Sequence, residues 1–318
     1  MSNRAAGLAT IEESPLLAEN EAANTPLATR GRGLGLVRDY YELAKPRVVS
    51  MVLVTTAAGY YLGSGQNLNL RGLIDLLIGT TLCASGTLAL NQFIERDLDA
   101  LMNRTRQRPL PSGRLSAREA LIFGLAAAVA GLLYLWATTN ALAAGVTAAI
   151  TIVYLAVYTP MKRWTSACSI VGAIPGALPP VAGWAAARGA LGLEPAVLFA
   201  IMYLWQLPHS LAIAHLYRYD YARAGIRLLP TVDPTGRSTM RQIVINSFAL
   251  LAVGMLPTVL GLAGAPYFLV STVLGILMVG AGLKLSFEPQ SAAAARRLMF
   301  ASLVYLPGVL AMMVIDKV

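Results

Sequence analysis

The sequence predicts an all-α, polytopic membrane bundle of about nine transmembrane helices around a central cavity. Three observations carry that expectation. The 318-residue chain is 56% hydrophobic and only 13% charged, against about 25% charged residues in a soluble globular domain. Nine apolar segments succeed one another, at about 48–66, 72–93, 117–137, 139–159, 167–187, 194–216, 241–263, 266–284 and 295–315. Most reach the roughly 20 residues that a spanning helix needs. With the N-terminus in the cytoplasm, 22 of the 25 Lys and Arg residues fall on the cytoplasmic side. Only Arg71, Arg188 and Lys317 fall outside. That asymmetry is how membrane helices are oriented.

Taken in order, residues 1–35 are polar and unpatterned and are expected to form a disordered cytoplasmic tail. A membrane domain at 36–318 comes next. Glu12, Glu13, Glu19 and Glu21 in the tail argue against a mitochondrial transit peptide, since those avoid acids. The plasma (inner) membrane of a bacterium is therefore expected over the mitochondrial inner membrane. The segment at 139–159 succeeds its predecessor through a tight turn near Thr138–Asn140. The fifth segment, "SIVGAIPGALPPVAGWAA", holds Pro175, Pro179 and Pro180. Such breaks are tolerated where neighbours re-satisfy the backbone or the helix lines a cavity. The net charge of +9 lies in short loops between apolar spans, so it encodes topology and suggests no nucleic-acid partner; the bilayer is the partner it implies. Cys83 and Cys168 sit in apolar runs, form no CxxC and are expected to be buried packing residues.

The stretch "NQFIERDLDALMNRTRQRPLPSG" breaks this pattern. Asn91, Glu95 and Asp99 are spaced i, i+4, i+8, which puts them on one helical face with a drift of about 40° per step. Carboxylate and amide oxygens suit Mg²⁺, which takes one or two protein carboxylates and leaves positions for water and substrate phosphate. Acids inside a membrane are expensive unless paired or metal-bound. Arg104, Arg106, Arg108 and Arg114 come after them, as receivers of diphosphate oxygens or as headgroup anchors. Asp97 points off the stripe and is expected to be an exposed partner of a nearby arginine. A weak internal likeness pairs this loop with "YRYDYARAGIRLLP": each has an acid, then arginines, then Leu-Pro. Both are expected on the cytoplasmic side, where one site could form between them.

Two further clusters stand out. "YTPMKRW" carries Tyr158, Lys162 and Arg163, the last two readable as ordinary anchors. "WQLPHSLAIAHLYRYDYARAG" puts Gln206 and His209 inside a membrane segment, and an intramembrane ionisable residue is a functional-site hypothesis. The chain's other histidine, His215, lies six residues on. Asp220 and Arg223 are three apart and could simply pair with each other.

Here the residues resemble a known family, the UbiA-type intramembrane prenyltransferases, and within it the branch that makes heme O. The carriers are Asn91, Glu95 and Asp99 followed by "RTRQRPLPSG", then "YTPMKR", "GAIPGALPPVAGW", "WQLPH" and "DYARAGIRLLP", in the family's order from about residue 40 onward. Ser210, His215 and Tyr219 depart from the branch's usual pattern; Tyr219 weakens a second paired-acid metal site, and His215 leaves open which histidine approaches heme. The resemblance implies nine helices around a central cavity capped by the charged loops. It implies transfer of a farnesyl group from farnesyl diphosphate to a vinyl group of heme B, with addition of water. On that resemblance Asn91, Glu95 and Asp99 would hold Mg²⁺, the cofactor. Arg104, Arg108, Lys162 and Arg163 would bind the diphosphate, and Asp220 with Arg223 would complete the cap or hold a second Mg²⁺. His209, Gln206 and Tyr158 would face the heme. Heme A synthase or oxidase assembly factors are the implied protein partners. A UbiA-type transferase for an aromatic acceptor is the alternative enzyme. A secondary transporter also combines broken helices with buried charge, but inverted hydropathy repeats are not evident.

Overall fold

The apolar runs are helical in the computed structural model, which describes residues 32–318. The tail expected at 1–35 lies, through residue 31, outside the described residues. The chain divides into Met1–Arg38 and a main unit, Asp39–Val318, which holds the membrane helices. The first helix, α1 (Arg32–Ala44), enters the main unit at Asp39. Then come α2 (Pro46–Gly63), α3 (Leu70–Leu101), α4 (Ala117–Thr138) and α5 (Ala141–Met161). A broken pair comes next, α6 (Cys168–Ala177) and α7 (Pro179–Arg188). The second half contains α8 (Leu193–Leu216), the short α9 (Arg218–Arg223) and α10 (Leu229–Val232), and the long α11 (Arg237–Val259), α12 (Ala265–Phe287) and α13 (Ala292–Ile315).

All nine apolar segments are helical, with boundaries moved by a few residues. Among the described residues, eight helical spans are long and apolar enough to cross a membrane, α6 and α7 counting as one. The first expected segment is the exception: α2 has 18 residues and opens on Pro46 and Arg47. It packs against α7, where Gly59 faces the Pro180 carbonyl and Gly183 the Thr56 carbonyl.

The largest boundary change concerns α3. Its apolar run predicts an end at 93, but the helix continues to Leu101. At 1.5 Å per residue its 32 residues reach about 48 Å, beyond the ~30 Å hydrocarbon thickness. The extension carries Glu95 and Asp99. The apolar part of α3 is gripped by α4 through small residues. A Cβ added at Gly86 would collide with the backbone of Ala128, and one at Gly131 with that of Cys83. Without a hydrophobic drive between helices in lipid, such close approach is a main source of association.

Two irregularities shape the interior. Around Leu178 the prolines break the fifth span into α6 and α7. Within α5, Val153–Tyr158 forms a wide π turn, in which the Thr159 N–H reaches back five residues to the Tyr154 carbonyl. Pro160 explains it, since its ring has no N–H to give and would clash with the carbonyl four residues back. The wider turn swings Tyr154 and Tyr158 together, with ring centroids 5.4 Å apart. Single π turns of this kind gather at functional sites.

Gly86→Ile tests the α3–α4 contact. Overpacking there is expected to cost about 1–3 kcal/mol, read as a lowered thermal midpoint of the detergent-solubilised protein; an unchanged midpoint would refute the close packing.

Candidate functional site

The polar stripe of α3 faces a small chamber of about 180 Å³, lined in part by Lys45, Asn91, Glu95, Asp99, Arg104, Arg108 and Lys162. Each acid already has a cation. Lys162 Nζ lies 2.7 Å from Glu95 Oε1, and Arg108 lies 2.6 Å from Asp99 Oδ2. Both carboxylates are buried, where an unpaired charge would be very costly. Asn91 donates from Nδ2 to Thr159 Oγ1 at 3.1 Å, and Thr159 in turn donates to the Tyr154 carbonyl at 2.7 Å. The π turn of α5 thus fixes the amide at the head of the stripe. Lys162 also lies over the Tyr158 ring, 4.4 Å from its centroid. Burial opposes its charge, but the facing Tyr158, Glu95 and Tyr154 outweigh this and hold its pKa above the ordinary lysine value.

The two charged loops do meet. Arg104 donates to the Tyr221 hydroxyl at 3.2 Å, and both residues line the chamber. Asp97 is exposed and pairs with Arg96 at 3.7 Å, as expected of an off-stripe acid. Arg114 turns away from the chamber and clamps Asp39 and Glu42 of α1.

Other expected site residues lie elsewhere. Arg163 is exposed and lines neither the chamber nor the larger cavity below it. It sits one residue past Lys162, where the chain leaves α5, and the two neighbours diverge. Asp220 and Arg223 pair with each other across 3.3 Å on α9, outside the chamber lining. Their i, i+3 spacing satisfies both charges locally. His215 is buried and contacts Arg218 at 3.2 Å, away from the cavity.

The chamber also holds Lys45, a residue whose place before the first apolar segment suggests only a headgroup anchor. Lys45 joins α1 to α2 with φ 51°, the one described non-glycine residue with positive φ. Gln92, next to Asn91 on α3, anchors the chain beside Lys45 by donating from Nε2 to the Leu43 carbonyl at 2.6 Å. Burial, together with the neighbouring Arg108, lowers its pKa to about 7, against the opposing pull of Asp99 and Glu95. The signal in the sequence is "AKPR", a lysine immediately before the proline that starts a helix.

Below the chamber lies a cavity of about 470 Å³, lined largely by apolar groups and also by Thr80, Thr87, Thr151, Gln206 and His209. Tyr154 and Tyr158 line both spaces. Pro175, Gly176 and Pro179 at the α6–α7 break line it too, so the broken helix does border a cavity. Gln206 packs against Gly176 and donates to the Gly172 carbonyl at 3.4 Å. Cys83 and Cys168 are buried free thiols.

The donor set can be tested against Mg²⁺. Among the described residues no group of three or more His, Cys, Asp or Glu could cage a metal. Two carboxylates and an amide along one helix fit an ion that shares its coordination with phosphate oxygens and water. The fit is to a metal–phosphate unit, not to a metal held by protein alone.

A membrane helix bundle that sets an acid-and-cation chamber beside an apolar cavity, with Tyr154 and Tyr158 lining both, suits an intramembrane transferase for lipid-like substrates. The chain belongs to the UbiA prenyltransferase family, whose model matches residues 52–304. It is 47% identical to a protoheme IX farnesyltransferase of Solibacter usitatus, over 88% of this chain and 99% of that protein. It is 34% identical to the mitochondrial protoheme IX farnesyltransferase of Arabidopsis thaliana, over 100% of this chain and 74% of that protein. Among solved structures it resembles a digeranylgeranylglyceryl phosphate synthase, with TM-score 0.75 and 16% identity, covering 88% of this chain and 98% of that one. A UbiA homolog from Archaeoglobus fulgidus bound to DMAPP and Mg²⁺ has TM-score 0.61 at 17% identity, covering 86% of this chain and 99% of that one.

The Glu95–Lys162 pair makes a stability prediction. Glu95→Gln or Lys162→Met alone leaves a buried charge and should destabilise by about 3–5 kcal/mol. The double variant should recover most of that loss in thermal unfolding; additive losses would show the pair is not coupled.

Proposed function

We propose that this protein transfers the farnesyl group of farnesyl diphosphate to a vinyl group of heme B, with addition of water, to give heme O. The observation that carries the reading is the junction of the two spaces at Tyr154 and Tyr158. A diphosphate suits the cationic chamber and an apolar prenyl tail suits the cavity, so the bond to be broken would fall between them. The names of the curated relatives support the same substrates.

Asn91, Glu95 and Asp99 would hold Mg²⁺, sharing its coordination with phosphate oxygens and water. The ion, when bound, supplies positive charge that draws off the charge growing on the leaving group. Lys162 and Arg108, with Lys45 and Arg104, line the same chamber and would neutralise the phosphate oxygens. This is preorganised stabilisation of a developing anion, usually the largest catalytic contribution. The allylic C–O bond breaks and its electron pair leaves with diphosphate. The vinyl π electrons then form the new bond to the farnesyl carbon, and water adds to the vinyl carbon left electron-deficient, losing a proton. The faces of Tyr154 and Tyr158 present negative π density to the cationic carbon. Burial of the tail, at about 0.8 kcal/mol per CH₂, supplies affinity without polar contacts. His209, with Gln206 and Tyr158, faces the heme.

The Lys and Arg distribution supports an N-terminus in the cytoplasm, with the charged chamber on the cytoplasmic side of a bacterial plasma (inner) membrane. The product would serve heme–copper oxidases, with heme A synthase or oxidase assembly factors as candidate partners.

Extraction of hemes from cells expressing this chain, with mass analysis, tests the activity: heme O is expected. Glu95→Gln and Asp99→Asn should abolish its formation in protein that still elutes as folded on gel filtration, and normal heme O from either would refute the metal assignment. Prenylation of 4-hydroxybenzoate instead of heme B would establish the aromatic-acceptor alternative. Lys45→Met should raise KM for farnesyl diphosphate about tenfold, the size of one lost charged contact, with retained folding checked by gel filtration. An unchanged KM would remove Lys45 from the diphosphate site.

A further inference from the structure

His209 projects from α8 into the apolar cavity, and the residues behind it determine which of its nitrogens carries the proton. Its Nδ1 lies 2.7 Å from Ser302 Oγ on α13. Ser302 is fully buried. A serine hydroxyl has one hydrogen to donate, and this one goes to the Met299 carbonyl at 2.6 Å. The Ser302 oxygen can therefore only accept from the imidazole. That makes Nδ1 the protonated nitrogen and leaves Nε2 as a bare lone pair.

The ring is held as well as polarised. Trp205, one turn before His209, stacks on it with centroids 4.9 Å apart and planes 15° apart. The Trp205 indole N–H donates to the Ser302 carbonyl at 2.7 Å. One residue of α13 thus fixes both rings of α8, its hydroxyl taking His209 and its carbonyl Trp205. No other hydrogen-bond partner of His209 exists among the described residues, and the ring borders the cavity. A histidine whose second nitrogen donates to a fixed oxygen is the arrangement by which proteins orient a metal-ligating imidazole and raise its basicity.

We propose that Ser302 is a positioning residue: it locks His209 as the Nδ1–H tautomer so that Nε2 ligates the iron of the porphyrin acceptor, holding the acceptor's plane in register with the tyrosines at the mouth of the charged chamber. The proposal rests on the reading of heme B as the acceptor. The step is a dative bond, in which Nε2 supplies its lone pair to iron and no proton or electron changes hands.

The test uses the purified full-length protein in detergent, loaded with heme B. In the ferrous state the iron–histidine stretching band is read by resonance Raman. Wild type should show it, and His209→Ala should lose it. Ser302→Ala should keep a band, shifted to lower frequency by the loss of the Nδ1–H bond, with heme affinity reduced about 10–100-fold. Ser302→Thr, which restores the hydroxyl, should return both values towards wild type. Thermal midpoints of all variants separate loss of folding from loss of ligation. If His209→Ala leaves the heme spectrum unchanged, the ligand assignment is overturned. If His209→Ala abolishes the band but Ser302→Ala leaves frequency and affinity unchanged, the role of Ser302 is overturned while the heme site stands. If wild type binds no heme B but still prenylates another acceptor, the heme reading itself fails.

Discussion

Two buried carboxylates cannot be left uncompensated in a protein surrounded by lipid, and the architecture around α3 is a consequence of that. Glu95 and Asp99 ride on the part of α3 that outlasts its apolar run. Each needs a cation, and each cation comes from a different element: Lys162 from the end of α5 and Arg108 from the loop after α3. The ion pairs therefore tie the cap of the bundle together before any substrate is present. A salt bridge in low dielectric roughly balances Coulomb attraction against desolvation, so the two pairs add little net stability while leaving neither buried carboxylate unpaired.

The backbone irregularities are placed to serve the same end. Pro160 forces a wide turn into α5, and that turn brings Tyr154 and Tyr158 to the junction of chamber and cavity. Pro179 and Pro180 restart the chain after Leu178, and Gly176, having no Cβ, lets Gln206 lie against it. Lys45 takes a left-handed conformation between two helices. Non-glycine residues in that region carry strain, and strain of this kind persists where surrounding contacts over-determine it. Here the Gln92–Leu43 hydrogen bond anchors the chain two residues before it. Regular helices would have packed the same apolar residues without opening the interior.

The fold and the acid stripe are legible in the sequence because both are periodic. Apolar runs of spanning length and a one-sided distribution of arginine and lysine survive without any knowledge of contacts. Spacing of i, i+4, i+8 places Asn91, Glu95 and Asp99 on one face and excludes Asp97, whose exposed pairing with Arg96 agrees. What the sequence does not show is direction at helix ends. Lys162 and Arg163 are adjacent in sequence, yet one enters the chamber and the other meets solvent. No periodicity governs a chain leaving a helix. Lys45 is hidden for a related reason, since its side chain reaches the site only through a turn set by tertiary contacts. Asp220 and Arg223 attract attention by their charge, but a local pair satisfies them.

Ser302 marks the limit of reading by residue type. A serine in an apolar helix carries no motif, and its hydroxyl could have bonded back to its own helix alone, as serines in membrane helices do. It does make that bond, to Met299, and this is what gives it significance. With its only hydrogen engaged, the oxygen is left as a pure acceptor, and the nearest donor is an imidazole nitrogen from another helix. An intrahelical bond that would otherwise be mere satisfaction of a polar group becomes the device that decides the state of a ring facing the cavity. The polar stripe of α3 and the His209–Ser302 pair share one constraint: in a water-poor interior a polar group costs free energy unless it is partnered, so both are held by named partners from other elements.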